Sequence, residues 1–394
     1  MSHPLFARSP DLQRLRNDGY DVEVRSTYLL VHGVPYVNAT KEVTYGTLVS
    51  ALTLAGDVAV QPKTHVAMFT GDHPCNPDGT KIAEITHQST TKQLVEGLVV
   101  QHSFSAKPPD GKYRDYHHKM TTYVRILQGP AQAIDPSVTA QTHPVVATDE
   151  GESVFWYLDT ATSRADIGMV TKKLELGSVG IVGLGGTGGY VLDLIAKTPI
   201  RAIHLFDGDV YLSHNAFRSP GAPSIEELRE QPMKVDYLRG VYSRMHRNIV
   251  PHPVFVTEAN VVELRELEFV FLCIDAGPAK QLIVEKLQEF GCRFIDVGMG
   301  IELVDGSLLG QLRVSTSTPE LRGSNQQIHE IPVAGADGDD EYGSNIQIAD
   351  LNCLNAALAV VKWKKLFKFY CDLENEHHSV YSIATNKVIN EDLL

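Results

Sequence analysis

The sequence has few cysteines, no long apolar run and fewer basic than acidic residues. Its five cysteines form an odd set without a C-x-x-C pair, which argues against a disulfide framework and against a structural zinc site. No run of about eighteen apolar residues occurs, and the first residues, MSHPLFARSP, do not resemble an export signal. We therefore expect reduced thiols, no membrane association and a cytoplasmic location.

The charge balance argues against a further class of partner. The chain carries 48 acidic and 35 basic residues, which gives a formal net charge of −13. Because sequence-independent nucleic-acid binding relies on basic groups that neutralise phosphates, we expect no nucleic-acid partner. The 394 residues, 43% of them apolar, suffice for two or three domains with cores of their own.

Residues 1–150 predict a separate amino-terminal domain of the α+β class, rich in β-structure. The runs STYLLVHGVPYV, THVAMFT, EGLVVQHSF and TTYVRIL are typical of strands, whereas YGTLVSALTLAG predicts a helix. Residues 129–153, rich in proline, threonine and alanine, lose this periodicity and predict a surface linker. We expect this domain to recognise a partner or substrate.

Residues 160–394 predict a Rossmann-like α/β domain with a doubly wound, mostly parallel sheet. From residue 171 onwards, runs typical of strands alternate with runs typical of helices. A polar segment rich in glycine and aspartate, about 315–345, interrupts this alternation and predicts a crossover loop. The segment QIADLNCLNAALAVVKWKKLFKFY predicts a long helix that closes the domain.

A glycine-rich turn follows the first predicted strand of this domain. In VGIVGLGGTGGYVLDLIAKTP, Gly183, Gly185 and Gly188 fit the pattern G-x-G-x-x-G, with Gly186 inside it. Such a turn lets a polyphosphate approach the backbone and the free N–H groups of the next helix. Asp207 ends the following strand, 24 residues after Gly183, where dinucleotide-binding folds place a carboxylate on the ribose. These features serve NAD and ATP equally.

The residues that follow Asp207 distinguish the two nucleotides. The segments IVGLGGTGG, HLFDGDVYLSHNAFR, QPMKVDYL and FLCIDAG resemble the adenylating domain that ThiF and MoeB proteins share with ubiquitin-activating enzymes. The resemblance covers roughly residues 160–369 and rests on several motifs in the family's order. It implies an enzyme that uses ATP and Mg²⁺ to activate a carboxylate as its adenylate.

The resemblance also implies a role for each polar residue of the site. Attack of a carboxylate on the α-phosphate needs cations around the phosphorus and a metal held by an acidic group. Ordinary structural roles are the alternatives, namely solvated charges, a turn former and a helix cap. By position in the motifs, the resemblance implies that Asp207 binds the ribose and that Asp275 binds Mg²⁺. It implies that the phosphates are bound by the four glycines, Asn215, Arg218 and Lys234.

Relatives often supply an arginine from just before the domain to the γ-phosphate bound by a partner subunit. Arg164 lies 19 residues before Gly183 and is the candidate here. This assignment implies a homodimer. A surface arginine without a catalytic role is the alternative.

The chain lacks two features that many relatives have. The zinc-binding C-x-x-C pairs are absent, and the predicted crossover loop has no cysteine to attack the acyl-adenylate. Three routes are open: a conjugating partner captures the adenylate, a loop hydroxyl such as Ser317 or Ser324 attacks it, or Cys75 does so. Cys353 has apolar neighbours in the closing helix, and we expect a buried structural thiol.

The leading hypothesis is adenylation of the C-terminal carboxylate of a small ubiquitin-like protein, within a bacterial conjugation pathway. A sulfur-carrier protein or a peptide is the alternative substrate of the same chemistry. From other classes, an NAD-dependent oxidoreductase and a non-catalytic adaptor stay open. An adaptor would have no need of Arg218, Lys234 and Asp275.

Overall fold

The computed structural model describes residues 3–149, 151, 153–322, 331–333 and 346–391. It divides the chain into two compact units. Residues 1–146 with 159–166 form the amino-terminal unit, and residues 147–158 with 167–394 form the carboxy-terminal unit. Most of the predicted crossover loop lies outside the described residues.

The amino-terminal unit is an antiparallel sheet with helices packed on it. Its strands are β1 (Asp21–Arg25), β2 (Tyr28–Val37), β3 (Val43–Ala51), β4 (Leu54–Ala55), β5 (Val58–Ala59), β6 (Val66–Thr70), β7 (Thr86–Val95) and β8 (Leu98–Ser105). Six of them pair in the order β1-β2-β3-β6-β8-β7, and β4 pairs with β5 alone. The helices are α1 (His3–Arg8), α2 (Pro10–Asn17), α3 (Tyr116–Ile134) and α4 (Thr160–Arg164). Helix α3 packs across β2 and β3.

Two of the predicted elements in this unit are wrong. The predicted helix YGTLVSALTLAG is largely strand β3, because pairing with β2 on one side and β6 on the other overrides its helical pattern. The predicted strand TTYVRIL belongs to α3. Its buried residues Met120, Tyr123, Val124 and Leu127 recur at the three-to-four spacing of a helix, which the β-branched residues obscured. The predicted linker also begins inside this helix.

Helix α3 carries a lysine into the core of the unit. The side chain of Lys119 is fully buried, and its Nζ donates to Ser50 Oγ at 2.8 Å and to the carbonyls of Thr64 and Val66 at 2.9 and 2.7 Å. All three acceptors are neutral, so no counter-charge offsets the cost of burial. Burial therefore lowers the pKa of Lys119 from 10.5 to about 8. The lysine ties the helix to β3 and to the start of β6.

The carboxy-terminal unit contains an eight-stranded mixed sheet. Its strands are β9 (Ser178–Val182), β10 (Ala202–Phe206), β11 (Ile249–His252), β12 (Phe269–Leu272), β13 (Arg293–Val304), β14 (Ser307–Ser317), β15 (His378–Ser382) and β16 (Lys387–Glu391). They lie in the order β11-β10-β9-β12-β13-β14-β15-β16. The first five in this order are parallel, and the remaining three join them antiparallel.

Helices cover both faces of the parallel part of this sheet. They are α5 (Gly168–Thr171), α6 (Gly186–Ile195), α7 (Ser213–Ala216), α8 (Ile225–Glu230), α9 (Lys234–Tyr242), α10 (Pro278–Glu289), α11 (Pro319–Arg322) and α12 (Ala349–Leu366). Helices α6, α9 and α12 share one buried apolar cluster with Ile181, whereas α10 shares another with Val182. Successive residues of a strand point to opposite faces, so the two clusters lie on opposite faces of the sheet.

This architecture confirms the predicted fold class. A β-rich amino-terminal unit of the α+β type precedes a Rossmann-like, doubly wound α/β unit. Within the described part of the chain, no helix combines the length and the apolar character that a membrane span requires.

Lys119 makes the pH dependence of stability testable. Because the folded state holds the proton of Lys119 less tightly than the unfolded state, this residue adds stability as pH rises. From about pH 7.5 to pH 9.5, its contribution should increase the free energy of unfolding by about 2 kcal/mol. Lys119→Met should lack that increase, and urea denaturation of both proteins at the two pH values measures the difference. Equal pH dependence in the two proteins would show that Lys119 does not titrate in this way.

Candidate active site

The order of the strands places a crevice at the centre of the carboxy-terminal sheet. The chain adds β10 and β11 on one side of β9, then returns to place β12 and β13 on the other side. In open α/β sheets, ligands bind beyond the carboxyl ends of the strands at such a reversal. A cavity of about 850 Å³ lies there, lined by the turn after β9, the segment after β12 and parts of β13 and β14.

The glycine-rich turn forms the first wall of this cavity. Gly183 has φ +87°, and a Cβ at this position would lie 2.5 Å from the carbonyl oxygen of Cys273. A Cβ at Gly186 would lie 2.7 Å from the carbonyl oxygen of Arg218. Gly185 differs, because a Cβ there would meet no protein atom within 4 Å. Gly185 lines the cavity and precedes the first turn of α6, so it leaves the helix N-terminus open to a ligand.

Asp207 connects this turn to the neighbouring strand. Its Oδ2 accepts the main-chain N–H of Leu184 at 2.6 Å, and its Oδ1 accepts that of Asp209 at 2.9 Å. Lys234, the first residue of α9, places its Nζ 2.6 Å from Asp209 Oδ2 and 3.6 Å from Asp207 Oδ1. All three side chains line the cavity. The carboxylates therefore hold both the glycine-rich turn and the lysine in position.

Asn215 and Arg218 lie on the turn that contains α7. Asn215 is buried, and its Oδ1 accepts the N–H of Leu212 at 2.9 Å. This contact shapes the turn, and Asn215 is not among the described residues that line the cavity. Arg218 does line it, and its buried Nε has no hydrogen-bond partner within the described residues. An acceptor on a bound ligand would satisfy this donor.

Asp275 lies in the segment that follows β12. It is solvent-exposed and lines the cavity together with Cys273 and Lys280. Burial raises the pKa of the Cys273 thiol far above its usual value, so this cysteine stays protonated at neutral pH and is a poor nucleophile. The structure thus brings Asp275 into one cavity with Asp207, Arg218 and Lys234.

Several residues of this cavity were not found by the sequence analysis. Asn352 of α12 donates to the carbonyl of Arg218 at 3.1 Å and accepts from Thr187 Oγ1 at 2.9 Å. It thereby joins α12 to the first turn of α6 and to the arginine. Two asparagines three residues apart in an apolar helix, Asn352 and Asn355, were the signal available. For Asp209, the signal was the second aspartate of the D-x-D motif.

A second charged group lines the cavity on the side of β13 and β14. Asp296 of β13 is fully buried, and Lys280 Nζ lies 2.6 Å from its Oδ1. Arg313 of β14 places its Nη2 2.7 Å from Asp296 Oδ2. Lys280 and Arg313 both line the cavity. These residues come from α10, β13 and β14, so no local motif in the sequence unites them.

The positions of the serines and cysteines considered for capture of the adenylate agree only in part with the predictions. Ser317 is the last residue of β14, is 1% exposed, and its Oγ accepts from Arg322 Nε at 3.1 Å, so its placement in a loop was wrong. Ser324 lies outside the described residues. Cys75 is buried, and burial raises the pKa of its thiol. Cys353 is exposed, so its predicted burial was wrong.

Arg164 belongs to the amino-terminal unit. It ends α4, and its guanidinium donates to the carbonyl of Asn17 at 3.0 Å and contacts His143 Nδ1 at 3.3 Å. Its role at a phosphate of a partner subunit stays a prediction. Throughout the residues that the structure describes, no group of three or more histidine, cysteine, aspartate or glutamate side chains is arranged to hold a metal ion.

Comparisons with known proteins agree with the motifs. Residues 161–330 match the model of the ThiF family, and residues 10–160 match a domain of unknown function, DUF6791. The match of residues 161–330 to the ThiF family confirms the resemblance, and a second matched region precedes it. None of the curated proteins matches the chain.

Solved structures similar to the chain include PaaA and MccB. PaaA has 17% sequence identity and a TM-score of 0.45, and the match covers 57% of this chain and 76% of PaaA. E. coli MccB with MccA-N7isoASN has 15% identity and a TM-score of 0.43, over 59% of this chain and 69% of MccB. MccB in complex with N-formylated MccA has 16% identity and a TM-score of 0.45, over 59% and 70%.

Gly185 offers a test of the glycine-rich turn. Gly185→Ala should leave folding intact, because the new Cβ meets no protein atom, yet it should weaken ATP binding at least about tenfold by filling the space before α6. Calorimetric titration with ATP and Mg²⁺, together with the melting temperature, measures both effects. Gly168→Ala, at another uncrowded glycine of the same unit, is the matched control. Unchanged ATP affinity in Gly185→Ala would contradict this role.

Proposed function

We propose that the chain is an ATP- and Mg²⁺-dependent enzyme that adenylates the C-terminal carboxylate of a protein or peptide. One observation carries the proposal: the glycine-rich turn, Arg218, Lys234 and Asp275 all line a single cavity at the point where the strand order reverses. The ThiF-family domain at residues 161–330 supports this class of enzyme. Each of the family's motifs contributes at least one residue to the cavity wall.

The described residues fit a bound nucleotide. The open N-terminus of α6 beside Gly185 suits the phosphates, and the unpartnered Nε of Arg218 suits a phosphate oxygen. Lys234 brings a cation that Asp209 already holds in place. Mg²⁺ in nucleotide-binding sites is usually held by one or two carboxylates together with the phosphates, so Asp275 suffices as its protein ligand. The ion would neutralise phosphate charge.

The reaction then follows from this arrangement. A carboxylate oxygen of the substrate attacks the α-phosphorus of ATP and forms the acyl-phosphate bond. The bond between the α-phosphorus and the bridging oxygen breaks, and pyrophosphate leaves with that electron pair. Both reactants are anions, so the cations Arg218 and Lys234 lower the cost of bringing them together. Asp207, through its bond to Leu184, keeps the turn in shape during the exchange.

For the substrate, we propose the C-terminal tail of a small ubiquitin-like protein, with a sulfur-carrier protein or a peptide as the alternative. The cavity continues from the glycine-rich turn onto β13 and β14, so it has room for a chain beyond the nucleotide. We assign recognition of the substrate's folded part to the amino-terminal unit. A homodimer, with Arg164 donated to a partner subunit, belongs to the same proposal.

We further propose that the adenylate itself is the product and that a conjugating partner receives the acyl group. Ser315, Ser317 and Thr318 are buried at the end of β14, and Cys75 and Cys273 are held as thiols by burial. None of these groups is a ready nucleophile. The described residues that were candidates for capture therefore favour release of the adenylate.

Asp275 tests the metal assignment. Asp275→Asn should lower substrate-dependent ATP–pyrophosphate exchange at least about a hundredfold, because a neutral amide oxygen binds Mg²⁺ more weakly than a carboxylate does. Asp149→Asn, at an exposed aspartate of the carboxy-terminal unit, is the matched control and should keep full exchange. Exchange undiminished in Asp275→Asn would contradict the assignment. Stabilisation against heat by NAD(H) but not by ATP and Mg²⁺ would overturn the adenylation proposal as a whole.

Intact mass spectrometry tests the fate of the acyl group. After incubation with ATP, Mg²⁺ and a candidate ubiquitin-like protein, we expect that protein to carry AMP and the enzyme to carry no covalent adduct. Hydroxylamine should remove the AMP, because acyl-adenylates react with it readily. An adduct on the enzyme would contradict release of the adenylate, and its mapping to a serine or a cysteine would identify the nucleophile.

A further inference from the structure

The far half of the cavity contains a second polar centre that the nucleotide does not need. It lies on β13 and β14, where Gly298, Gly300 and Gly310 line the wall without side chains. Strand β14 is three strands away from β9, which is about 14 Å at the usual spacing between strands. A residue on β14 therefore faces the part of the cavity away from the glycine-rich turn.

Asp296 is the anchor of this centre. Its carboxylate is fully buried between Lys280 and Arg313, at 2.6 and 2.7 Å. Two cations contact this one carboxylate, so the buried cluster of three residues carries one unbalanced positive charge, while Glu302, which also lines the cavity, is solvent-exposed. Such a charge is costly to bury unless an anion joins it, so the arrangement favours a negatively charged ligand.

Arg313 is held in a fixed orientation. Its Nη2 contacts Asp296 and its Nη1 donates to Ser315 Oγ at 2.8 Å, while Ser315 Oγ lies 2.9 Å from His378 Nδ1. These two contacts use two of the five N–H groups of the guanidinium. The side chain is 17% exposed and lies against Gly298, where a Cβ would come within 2.5 Å of Nη2. Arg313 is thus a positioned cation with donors left over for a ligand.

Asn355 supplies a second feature at the same glycine. It lines the cavity, is 1% exposed, and its Nδ2 donates to the carbonyl of Gly298 at 3.0 Å. Its buried Oδ1 has no hydrogen-bond partner among the residues described. A buried acceptor without a donor costs free energy that a ligand N–H can recover. The site therefore offers a cation and an unsatisfied acceptor on either side of Gly298.

We propose that Arg313 and Asn355 bind the last residue of the acyl substrate. Arg313 holds the C-terminal carboxylate, and Asn355 Oδ1 accepts the main-chain N–H of the same residue after a small rotation of its amide. This inference rests on the proposed adenylating function and identifies the residues that determine its substrate specificity. The ligand recognised is the backbone end of a peptide, whatever its side chains. Lys280 and Asp296 act as positioning residues that hold Arg313.

The geometry of the guanidinium explains why Arg313 should bind a C-terminal carboxylate better than a carboxamide. A guanidinium forms two parallel hydrogen bonds with a carboxylate but not with a carboxamide, which presents only one acceptor oxygen. A lysine keeps the charge but lacks the planar fork. Each oxygen of the carboxylate held by Arg313 keeps a further lone pair, and one of them can attack at the nucleotide end of the cavity.

A minimal probe tests this site without knowledge of the natural substrate. The full chain, with and without a non-hydrolysable ATP analogue and Mg²⁺, is heated with acetyl-glycylglycine or with its C-terminal amide. The acid should raise the melting temperature of the wild type by about 2 °C or more, and the amide should not. Equal effects of the acid and the amide, or no effect of either, would overturn the proposal.

Substitutions of Arg313 test whether this residue binds the acid. Arg313→Gln should weaken binding of the acid at least about tenfold, and Arg313→Lys should lie between it and the wild type. Arg293→Gln, at an exposed arginine on β13 that pairs with Glu320, is the matched control and should behave as wild type. Full binding of the acid by Arg313→Gln would refute the role of Arg313. If this variant does not fold, Arg313→Lys and the contrast between acid and amide in the wild type still decide.

The measurements with and without the ATP analogue distinguish failure of this inference from failure of the proposed function. Stabilisation by the ATP analogue together with equal effects of acid and amide would overturn only the assignment of Arg313 and Asn355. Absence of any stabilisation by the analogue would count against adenylation, while a preference for the acid would still support the carboxylate site.

Discussion

The carboxylate of Asp207 is the constraint on which the proposed nucleotide end of the cavity depends. Asp207 directly follows β10, yet its Oδ2 accepts the N–H of Leu184 in the turn after β9. One buried group therefore fixes the distance between two strand ends and the path of the glycine-rich turn. Because we propose the N–H groups of that turn and of α6 as the phosphate donors, their positions would be set before a nucleotide binds.

The two ends of the cavity follow the same design. At one end, Asp207 and Asp209 hold Lys234, and at the other, Asp296 holds Lys280 and Arg313. Buried ion pairs contribute little net stability, since the loss of hydration offsets most of the attraction. Their value here is positional, because a cation already fixed by a carboxylate does not have to be ordered when an anion binds.

The candidate site residues that lie in short sequence motifs could be predicted from the sequence. The glycine-rich turn, Asp207 and Asp275 follow strands, Lys234 begins α9, and Arg218 follows the short helix α7. The order of their motifs is visible along the chain. Arg313 and Asp296 were not predictable in this way, because they meet only when β13 and β14 pair. Their spacing along the chain carries no signal.

The errors in the amino-terminal unit and in α12 have different physical origins. Helix α3 follows the three-to-four spacing of its buried residues despite its β-branched residues, whereas β3 buries three successive residues, Leu48 to Ser50, and lacks the two-residue alternation that indicates a strand. Cys353 was expected to be buried because its neighbours are apolar, but successive residues of a helix point about 100° apart. Asn352 takes the inward position, and its contacts to Thr187 and Arg218 account for a buried polar residue there.

Helix α12 is hydrogen-bonded to both ends of the cavity. Asn352 is hydrogen-bonded to the turn that carries Arg218, and Asn355, three residues later on the same face, is hydrogen-bonded to Gly298. One rigid helix thus touches both the nucleotide end and the far end of the cavity. The proposed adenylation requires a carboxylate oxygen to meet a phosphorus at a short distance in a defined direction. A helix bonded to both ends would hold the separation that this proposed reaction needs.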